Sequence, residues 1–308
     1  MCGLRSAAPG EAAISDIGYL TGLVGAGIGP SLSPALHERE AAELGLRCLY
    51  RRLDLDRIGP PATAVGDVLR AARLTGFTGL NITHPAKQLV LEHLDELSPD
   101  AAALGAVNTV VFTPEGAIGH NTDWSGFARS FGRGLPDVPV DRVVLLGAGG
   151  AGAAVAHGLL TLGTGELHVL DLDAGRAAEL AAALRRRFGP DRATSGDFDP
   201  AAALTGADGL VHATPVGMAA HPGLPVPADA LHPGLWVADV VYRPLHTELV
   251  RTARDRGCRV LDGGGMAVFQ AADAFRLFTG REPDAERMLR HFETLVTEPG
   301  GPRVHAAR

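Results

Sequence analysis

The stretch VVLLGAGGAGAAVAHGLLTLG, residues 143–163, admits two readings that lead to different proteins. Its length and its small residues at G-x-x-x-G-like spacing suit a membrane span. Its glycines suit something else: they cluster directly after an apolar run, where a strand would end, and His157 interrupts the apolar stretch that follows. Strand, tight turn and helix is the better description. Gly147, Gly149 and Gly152 then stand in the G-x-G-x-x-G arrangement. Such glycines serve a tight turn, close approach of backbone to a pyrophosphate, and close packing of helix on strand, with phosphate facing the helix N-terminus. Asp171 ends the next strand nineteen residues after Gly152, near the position expected of a carboxylate that binds a ribose. A plain polar strand end is the competing account of Asp171.

The acidic residues bear on which dinucleotide fits. Asp173 places a second carboxylate where a 2′-phosphate would lie, and two unit charges at about 4 Å near a surface interact by up to roughly 4 kcal/mol. The expectation is NAD, with NADP disfavoured; Arg176, close by in sequence, softens the contrast.

Outward from this turn, the chain alternates short apolar runs with helical patterns. Residues 17–123 read βαβαβα: YLTGLVG then SPALHEREAAELG, CLYRRLDL then ATAVGDVLRAARL, GLNI then AKQLVLEHLDEL. That order predicts a mostly parallel sheet with helices on its faces. NTVVFT and AIGHNTD form a hairpin-like pair about Pro114-Glu115-Gly116. From Arg142 a second βα series begins, a doubly wound, Rossmann-type unit. AVFQAADAFRLFTG and DAERMLRHFETLV are two amphipathic helices, and EPGGPRVHAAR, the last eleven residues, reads as a loose tail. GRGLPDVPV, residues 132–140, is the best linker. The expected division is a substrate-binding, catalytic unit over residues 1–125, completed by C-terminal helices from 265 to 308, and a dinucleotide unit over 126–264.

Composition excludes several function classes. A net charge of −7, with no basic run longer than Arg185-Arg186-Arg187, gives no footprint for nucleic acid; the triplet suits a helix C-terminus. Cys2, Cys48 and Cys258 lie far apart, with neither a disulfide framework nor a metal-ligand spacing. No metal is expected. The first twenty residues include Glu11 and Asp16 and lack a basic-then-apolar order, so a cytoplasmic protein is expected.

One residue demands its own explanation. Lys87 is the only lysine in a chain of 28 basic residues, the other twenty-seven being arginines. Arginine stays protonated at any working pH, whereas a lysine ammonium shifts its pKa when partly buried and can give or take a proton. A lone surface lysine arising by chance is the bland alternative. Since Lys87 lies outside the dinucleotide unit, a functional Lys87 belongs in the cleft between the two units. Nearby polar residues have bland readings of their own. Asp123 precedes a helical pattern and either caps it or faces the cleft; Ser33 before Pro34 is a helix cap with proline at the first position; Asn108 suits a turn.

Taken together, the segments SLSPALHE, GLNITHPAKQLV, LGAVNTV, GHNTDWSGF, GAGGAG, HATPVGM, DVVYRPLHTELV and GGGMAVFQAADAFRLFTG resemble the shikimate dehydrogenase family in order and spacing. The likeness runs from about residue 17 to 295, and DLDAGRAAEL with DAFRLFTGREPD resembles the NAD-dependent quinate/shikimate branch. The resemblance implies that Lys87 and Asp123 form the catalytic pair of a reversible oxidation of quinate to 3-dehydroquinate and of shikimate to 3-dehydroshikimate. It further implies that Ser31, Ser33 and Tyr242 bind the substrate carboxylate through hydroxyl donors, while Thr83, Asn108 and Gln270 hold ring hydroxyls. On the cofactor side it adds Ala148, Gly150, Ala151, Thr214, Val240, Gly263 and Met266 to the glycines, Asp171 and Arg176. Three features depart from the family's pattern: His212 where Asn is common before Ala-Thr, Trp124 where Gly often follows Asp123, and the triple glycine 263–265. The competing functions are an enzyme acting on amino analogues of these acids, an NADP-preferring shikimate dehydrogenase, and a dinucleotide sensor without turnover. A small-molecule partner and a homodimer are expected, with neither nucleic acid nor membrane.

Overall fold

The computed structural model describes residues 18–297; Cys2, Glu11, Asp16 and the tail segment at 298–308 lie outside it. The first unit opens with β1 (Gly18–Gly25), α1 (Ser33–Glu43), β2 (Arg47–Asp54), α2 (Leu55–Ile58), α3 (Pro61–Leu74) and β3 (Gly79–Ile82). α4 (Ala86–Leu89), β4 (Glu96–Leu97), α5 (Pro99–Leu104), β5 (Thr109–Phe112) and β6 (Ala117–His120) complete its sheet, in the order β2-β1-β3-β5-β6-β4. β1, β2 and β3 pair in parallel, as the βαβ pattern requires. β5 runs antiparallel to both β3 and β6; with β6 it forms a hairpin, because a turn closed by the Thr113 N–H on the Gly116 carbonyl at 2.8 Å leaves room for nothing longer. The core of this unit is aliphatic, with Val24, Val65, Leu80 and Val90 wholly enclosed.

One expectation fails here. AKQLVLEHLDEL reads as a continuous helix but forms only the four residues of α4, a 3-10 turn at Val90–His93, and β4. Pairing with the hairpin explains the break. The Asp95 N–H donates to the Ala117 carbonyl at 2.9 Å, the Asp95 carboxylate accepts from the Ala117 N–H at 2.8 Å, and β4 runs parallel to β6. Long-range ladder bonds override a helical periodicity that is local only.

α6 (Asp123–Gly134) then leads into the second unit: β7 (Arg142–Leu146), α7 (Gly150–Thr161), β8 (Glu166–Leu170), α8 (Ala174–Phe188), β9 (Ala193–Ser195), α9 (Pro200–Ala203), β10 (Gly209–His212), β11 (Trp236–Asp239), α10 (Glu248–Asp255) and β12 (Arg259–Leu261). These strands form one parallel sheet in the order β12-β11-β10-β7-β8-β9. This is the doubly wound arrangement, in which the direction of winding reverses between β7 and β10 and leaves a crevice at their carboxyl ends. The segment 143–163 is thus β7, a turn and α7, and no described helix is long and apolar enough to cross a membrane. α7 is apolar on nearly every side because the sheet covers one face and α6 another: a Cβ at Gly158 would stand 3.1 Å from the Trp124 carbonyl and 3.2 Å from Phe127.

Two last helices return to the first unit. α11 (Gly264–Thr279) lies along α6 so closely that a Cβ at Gly126 would stand 2.6 Å from the Gln270 nitrogen. α12 (Ala285–Thr297) is tied to α1 by Arg287, which donates from Nε and Nη2 to the buried Glu40 carboxylate at 2.9 and 2.6 Å. α6 begins at the substrate side and runs across the position 125/126, and its last turn covers the start of the expected linker at 132–140.

Candidate active site

Asp123 opens α6 directly after the edge of the hairpin, and its side chain is only 10% exposed. Each carboxylate oxygen has a partner. Oδ1 accepts from the Asn108 amide at 2.8 Å, and Oδ2 lies 2.5 Å from Lys87 Nζ. Asn108 is itself fixed on both ends: its amide also donates to Thr122 Oγ1 at 3.0 Å, and its carbonyl accepts from the Thr122 N–H at 2.7 Å. Asn121 completes the frame, accepting from the Asp123 N–H at 3.1 Å and donating to the Ala106 carbonyl at 3.0 Å. A fully bonded buried polar network of this kind holds its members in one geometry.

Lys87 reaches this carboxylate from α4, which starts after a cis His84-Pro85 bond. Its backbone carbonyl accepts from the Val107 N–H at 2.9 Å, locking α4 to the strand entrance beside Asn108. The lysine also faces the second unit: a Cβ at Gly150 would stand 3.8 Å from Lys87 Cδ. The pair therefore sits against the N-terminus of α7, with the glycine turn on the other side of the crevice.

The turn has the form its glycines imply. Gly147 holds φ at +105°, and a Cβ there would lie 2.6 Å from the Ala213 carbonyl of the neighbouring β10 loop. A Cβ at Gly152 would lie 1.9 Å from the Gly147 carbonyl, whereas one at Gly149 would meet nothing within 4 Å. Gly147 and Gly152 are needed for packing; the exposed Gly149 leaves backbone open to a ligand. Asp171 at the end of β8 accepts from the Ala148 N–H at 2.8 Å, the Asp173 N–H at 2.9 Å and Arg176 Nη2 at 2.9 Å. Burial alone would raise its pKa, but these hydrogen bonds and the Arg176 charge outweigh it and hold the carboxyl below its ordinary range. Asp173 caps α8, accepting from the Gly175 and Arg176 N–H groups. The donors and open backbone fit a dinucleotide.

The remaining expected residues come from several elements of both units. Ser31 and Ser33, at the start of α1, have hydroxyls 3.2 Å apart. Tyr242 follows β11 and packs its ring 6.4 Å from that of Phe292, and burial raises its pKa. Thr83 precedes the cis bond, with its methyl close enough to Gly25 that a Cβ there would stand 2.3 Å away. Gln270, on α11, donates to the Ala267 carbonyl at 2.9 Å, and its backbone packs on Gly126 of α6. Gly263 caps α11 beneath the Val240 carbonyl, and Met266 packs on the second unit's core. Ala151 lies in the first turn of α7.

Two departures from the family's pattern acquire definite places. His212 is wholly buried, with Nδ1 3.0 Å from Asp239 Oδ1 and Nε2 2.5 Å from Thr214 Oγ1. Asp239 also accepts from Thr247 Oγ1 at 2.6 Å and the Val241 N–H at 3.0 Å. The imidazole thereby links β10 to β11 and orients Thr214. Trp124 packs into the α6–α7 contact, edge-on to His157 at 5.1 Å. His157 in turn lies 3.5 Å from Asp100 of α5, which Arg187 of α8 also contacts at 3.2 Å.

Sequence reasoning missed a second group. Tyr50 on β2 donates to Asn81 Oδ1 at 2.8 Å, and Arg52 Nη2 donates to the Ser31 carbonyl at 2.7 Å. Arg243 donates to the Pro30 carbonyl. Asn81 lies in GLNITHPAKQLV, but nothing in YRR or YRP marks these side chains as neighbours.

Comparison with known proteins agrees with this architecture. Residues 23–110 match the "Shikimate dehydrogenase substrate binding domain" and residues 263–291 the "Shikimate 5'-dehydrogenase C-terminal domain". "Shikimate dehydrogenase (NADP(+))" of Streptomyces avermitilis is 68% identical over 279 residues, 90% of this chain and 96% of that protein. The chain belongs to the shikimate dehydrogenase family. Another member of the family, "Quinate/shikimate dehydrogenase (NAD(+))" of Corynebacterium efficiens, is 50% identical over 278 residues, 90% of this chain and 98% of that protein. The solved "Quinate dehydrogenase from Corynebacterium glutamicum in complex with NAD" superposes with a TM-score of 0.85 at 48% identity, over 90% of this chain and 99% of that one. As a family member the protein is a shikimate/quinate-type oxidoreductase acting on a CH–OH group with a nicotinamide dinucleotide. The reading as a sensor without turnover is set aside.

Proposed function

We propose that this protein is an NAD-dependent quinate/shikimate dehydrogenase in which Lys87 and Asp123 handle the proton of the reacting hydroxyl. The observation that carries the proposal is the 2.5 Å contact of Lys87 Nζ with Asp123 Oδ2, placed against Gly150 at the mouth of the glycine turn. Oxidation of a secondary alcohol separates a hydride from a proton. The bound nicotinamide supplies the hydride acceptor in one direction and the donor in the other. Lys87 Nζ, touching the hydroxyl, passes the proton, and Asp123 Oδ2 holds the ammonium stem in line. Asn108 keeps the other carboxylate oxygen occupied, so Asp123 cannot rotate away. Both protonation assignments of the pair satisfy this chemistry.

On the same reading, Ser31, Ser33 and Tyr242 receive the substrate carboxylate, and Thr83, Asn108 and Gln270 the ring hydroxyls. Convergent hydrogen-bonding groups reject a ligand lacking a hydroxyl more sharply than an apolar pocket does. The first sheet with α11 and α12 would form the substrate unit and the second sheet the cofactor unit.

NAD is preferred on charge. A 2′-phosphate near Asp171 and Asp173 would face two carboxylates, of which Arg176 offsets one. The same guanidinium supports a second reading: it is more than half exposed, its 57% leaving it able to turn outward onto a phosphate, and the Streptomyces relative is named for NADP. Initial rates with quinate, shikimate and their amino analogues against both dinucleotides separate the readings. A kcat/KM for NADP equal to or above that for NAD overturns the cofactor assignment; turnover confined to amino analogues overturns the substrate assignment.

A further inference from the structure

The carboxylate end of the proposed substrate site reads from sequence as a set of uncharged hydroxyls. In the folded protein it is flanked by two guanidinium groups from different units. Arg52, on β2 of the first unit, donates from Nη2 to the Ser31 carbonyl. Arg243, beyond β11 of the second unit, donates from Nη1 to the Pro30 carbonyl. Both cations thus converge on adjacent residues of the loop that delivers Ser31 and Ser33.

Arg39, Arg129, Arg133, Arg176 and Arg287 each have a carboxylate partner, whereas Arg52 and Arg243, like Arg185, Arg192 and Arg259, are held by backbone carbonyls. Neighbouring carboxylates are spent elsewhere: Asp54 and Asp56 accept from the Gly27 N–H, and Glu38 from the Tyr50 N–H. Arg52 differs from the other carbonyl-held arginines in one respect: its Nε is buried without a partner. A half-buried cation that is held only by a backbone carbonyl is an incomplete arrangement, because burying charge is costly unless an opposite charge compensates it. An anion arriving beside Ser31 and Ser33 would complete it.

We propose that Arg52 and Arg243 form a split anion clamp, one member from each unit, that selects substrates carrying an ionised carboxylate over their uncharged counterparts. The proposal rests on the reading of Ser31, Ser33 and Tyr242 as the carboxylate site. Because Arg243 belongs to the second unit, the clamp is complete only when both units face the crevice. Arg52, half-buried against the Ser31 backbone, supplies the larger effect; Arg243 is exposed and acts more through long-range attraction, which salt screens.

The test is calorimetric binding of shikimate and of its methyl ester to the dinucleotide-saturated enzyme, with turnover measured alongside. The wild type should bind the acid at least about tenfold more tightly than the ester, the scale of a charge-assisted hydrogen bond. Arg52→Gln should abolish most of that ratio by weakening the acid alone, and Arg52→Lys should restore part of it. Arg243→Gln should lower the ratio less and flatten the rise of the acid's Kd with salt. Equal binding of acid and ester by the wild type, or an unchanged ratio in folded Arg52→Gln, overturns the clamp. If Arg52→Gln does not fold, the salt dependence and Arg243→Gln decide: a Kd for the acid that is insensitive to salt in both wild type and variant overturns it. Failure of the wild type to turn over shikimate or quinate, with acid-selective binding intact, overturns the functional reading and leaves the clamp standing.

Discussion

Lys87 is where a chain that otherwise writes its basic residues as arginine needs an amine. A guanidinium would fit the same salt bridge but would not release a proton at working pH. Lys87→Arg should therefore lose at least about a hundredfold in kcat, some 3 kcal/mol of barrier, while thermal unfolding stays close to wild type. Near-normal turnover in that variant would remove the proton-transfer role. His37 makes a different prediction. It is enclosed by Tyr50, Phe275 and Phe278, its Nε2 has no partner, and desolvation lowers its pKa from 6.5 to about 3. The folded state holds it neutral while the unfolded state takes up a proton below 6.5, so its contribution is present above that value and is lost as pH falls toward 3. At pH 5 the linkage costs about 2 kcal/mol. His37→Phe should flatten the fall in unfolding free energy between pH 7 and 4; an unchanged slope would show that other groups dominate. Lys87 was visible in the sequence because its residue type is unique there. His37 carried no such mark, since a histidine on a helix looks the same whether its face is buried or wet.

At the scale of elements, the glycine turn was fully legible because its requirements are local. Strand, turn and helix are contiguous, and each glycine answers to a neighbour a few residues away or on the adjoining strand. Gly152→Ala would bring a methyl onto the Gly147 carbonyl. Something in the backbone must move, so a fluorescence titration should show at least about tenfold weaker dinucleotide binding, on the scale of one lost backbone contact to phosphate. Full-affinity binding in Gly152→Ala would mean that the turn tolerates displacement. α4 shows the opposite case. Its helical periodicity was genuine, yet Asp95 and β4 joined the hairpin because ladder bonds formed there, and no local pattern announces an edge waiting to be paired. His212 likewise stood out as a departure, but its bridge to Asp239 and Thr214 depends on two strands lying side by side.

For the whole molecule, the C-terminal helices decide how the first unit is closed. α11 and α12 follow the last strand of the second sheet, yet Val268, Ala271, Met288 and Phe292 pack against Leu36 of α1 and Leu32 just before it. Glu40, 1% exposed, depends on Arg287 for its compensating charge. Arg287→Ala would leave that carboxylate buried and unpaired, at a cost of about 3 to 5 kcal/mol. A denaturant titration should show the loss, and Glu40→Gln in the Arg287→Ala background should recover part of it; no recovery would place the cost in lost packing instead. By itself, the sequence determined the two βα series, the strand-turn-helix with its glycines, and the residue types able to do the chemistry, because periodicity, turn formation and proton affinity are properties of short stretches. Only the tertiary structure decided that Lys87 meets Asp123, that the hairpin docks antiparallel on β3, and that Arg52 and Arg243 reach the same loop from separate units. Those contacts join residues dozens to hundreds of positions apart, and they are set by how sheets and helices pack, which no local pattern encodes.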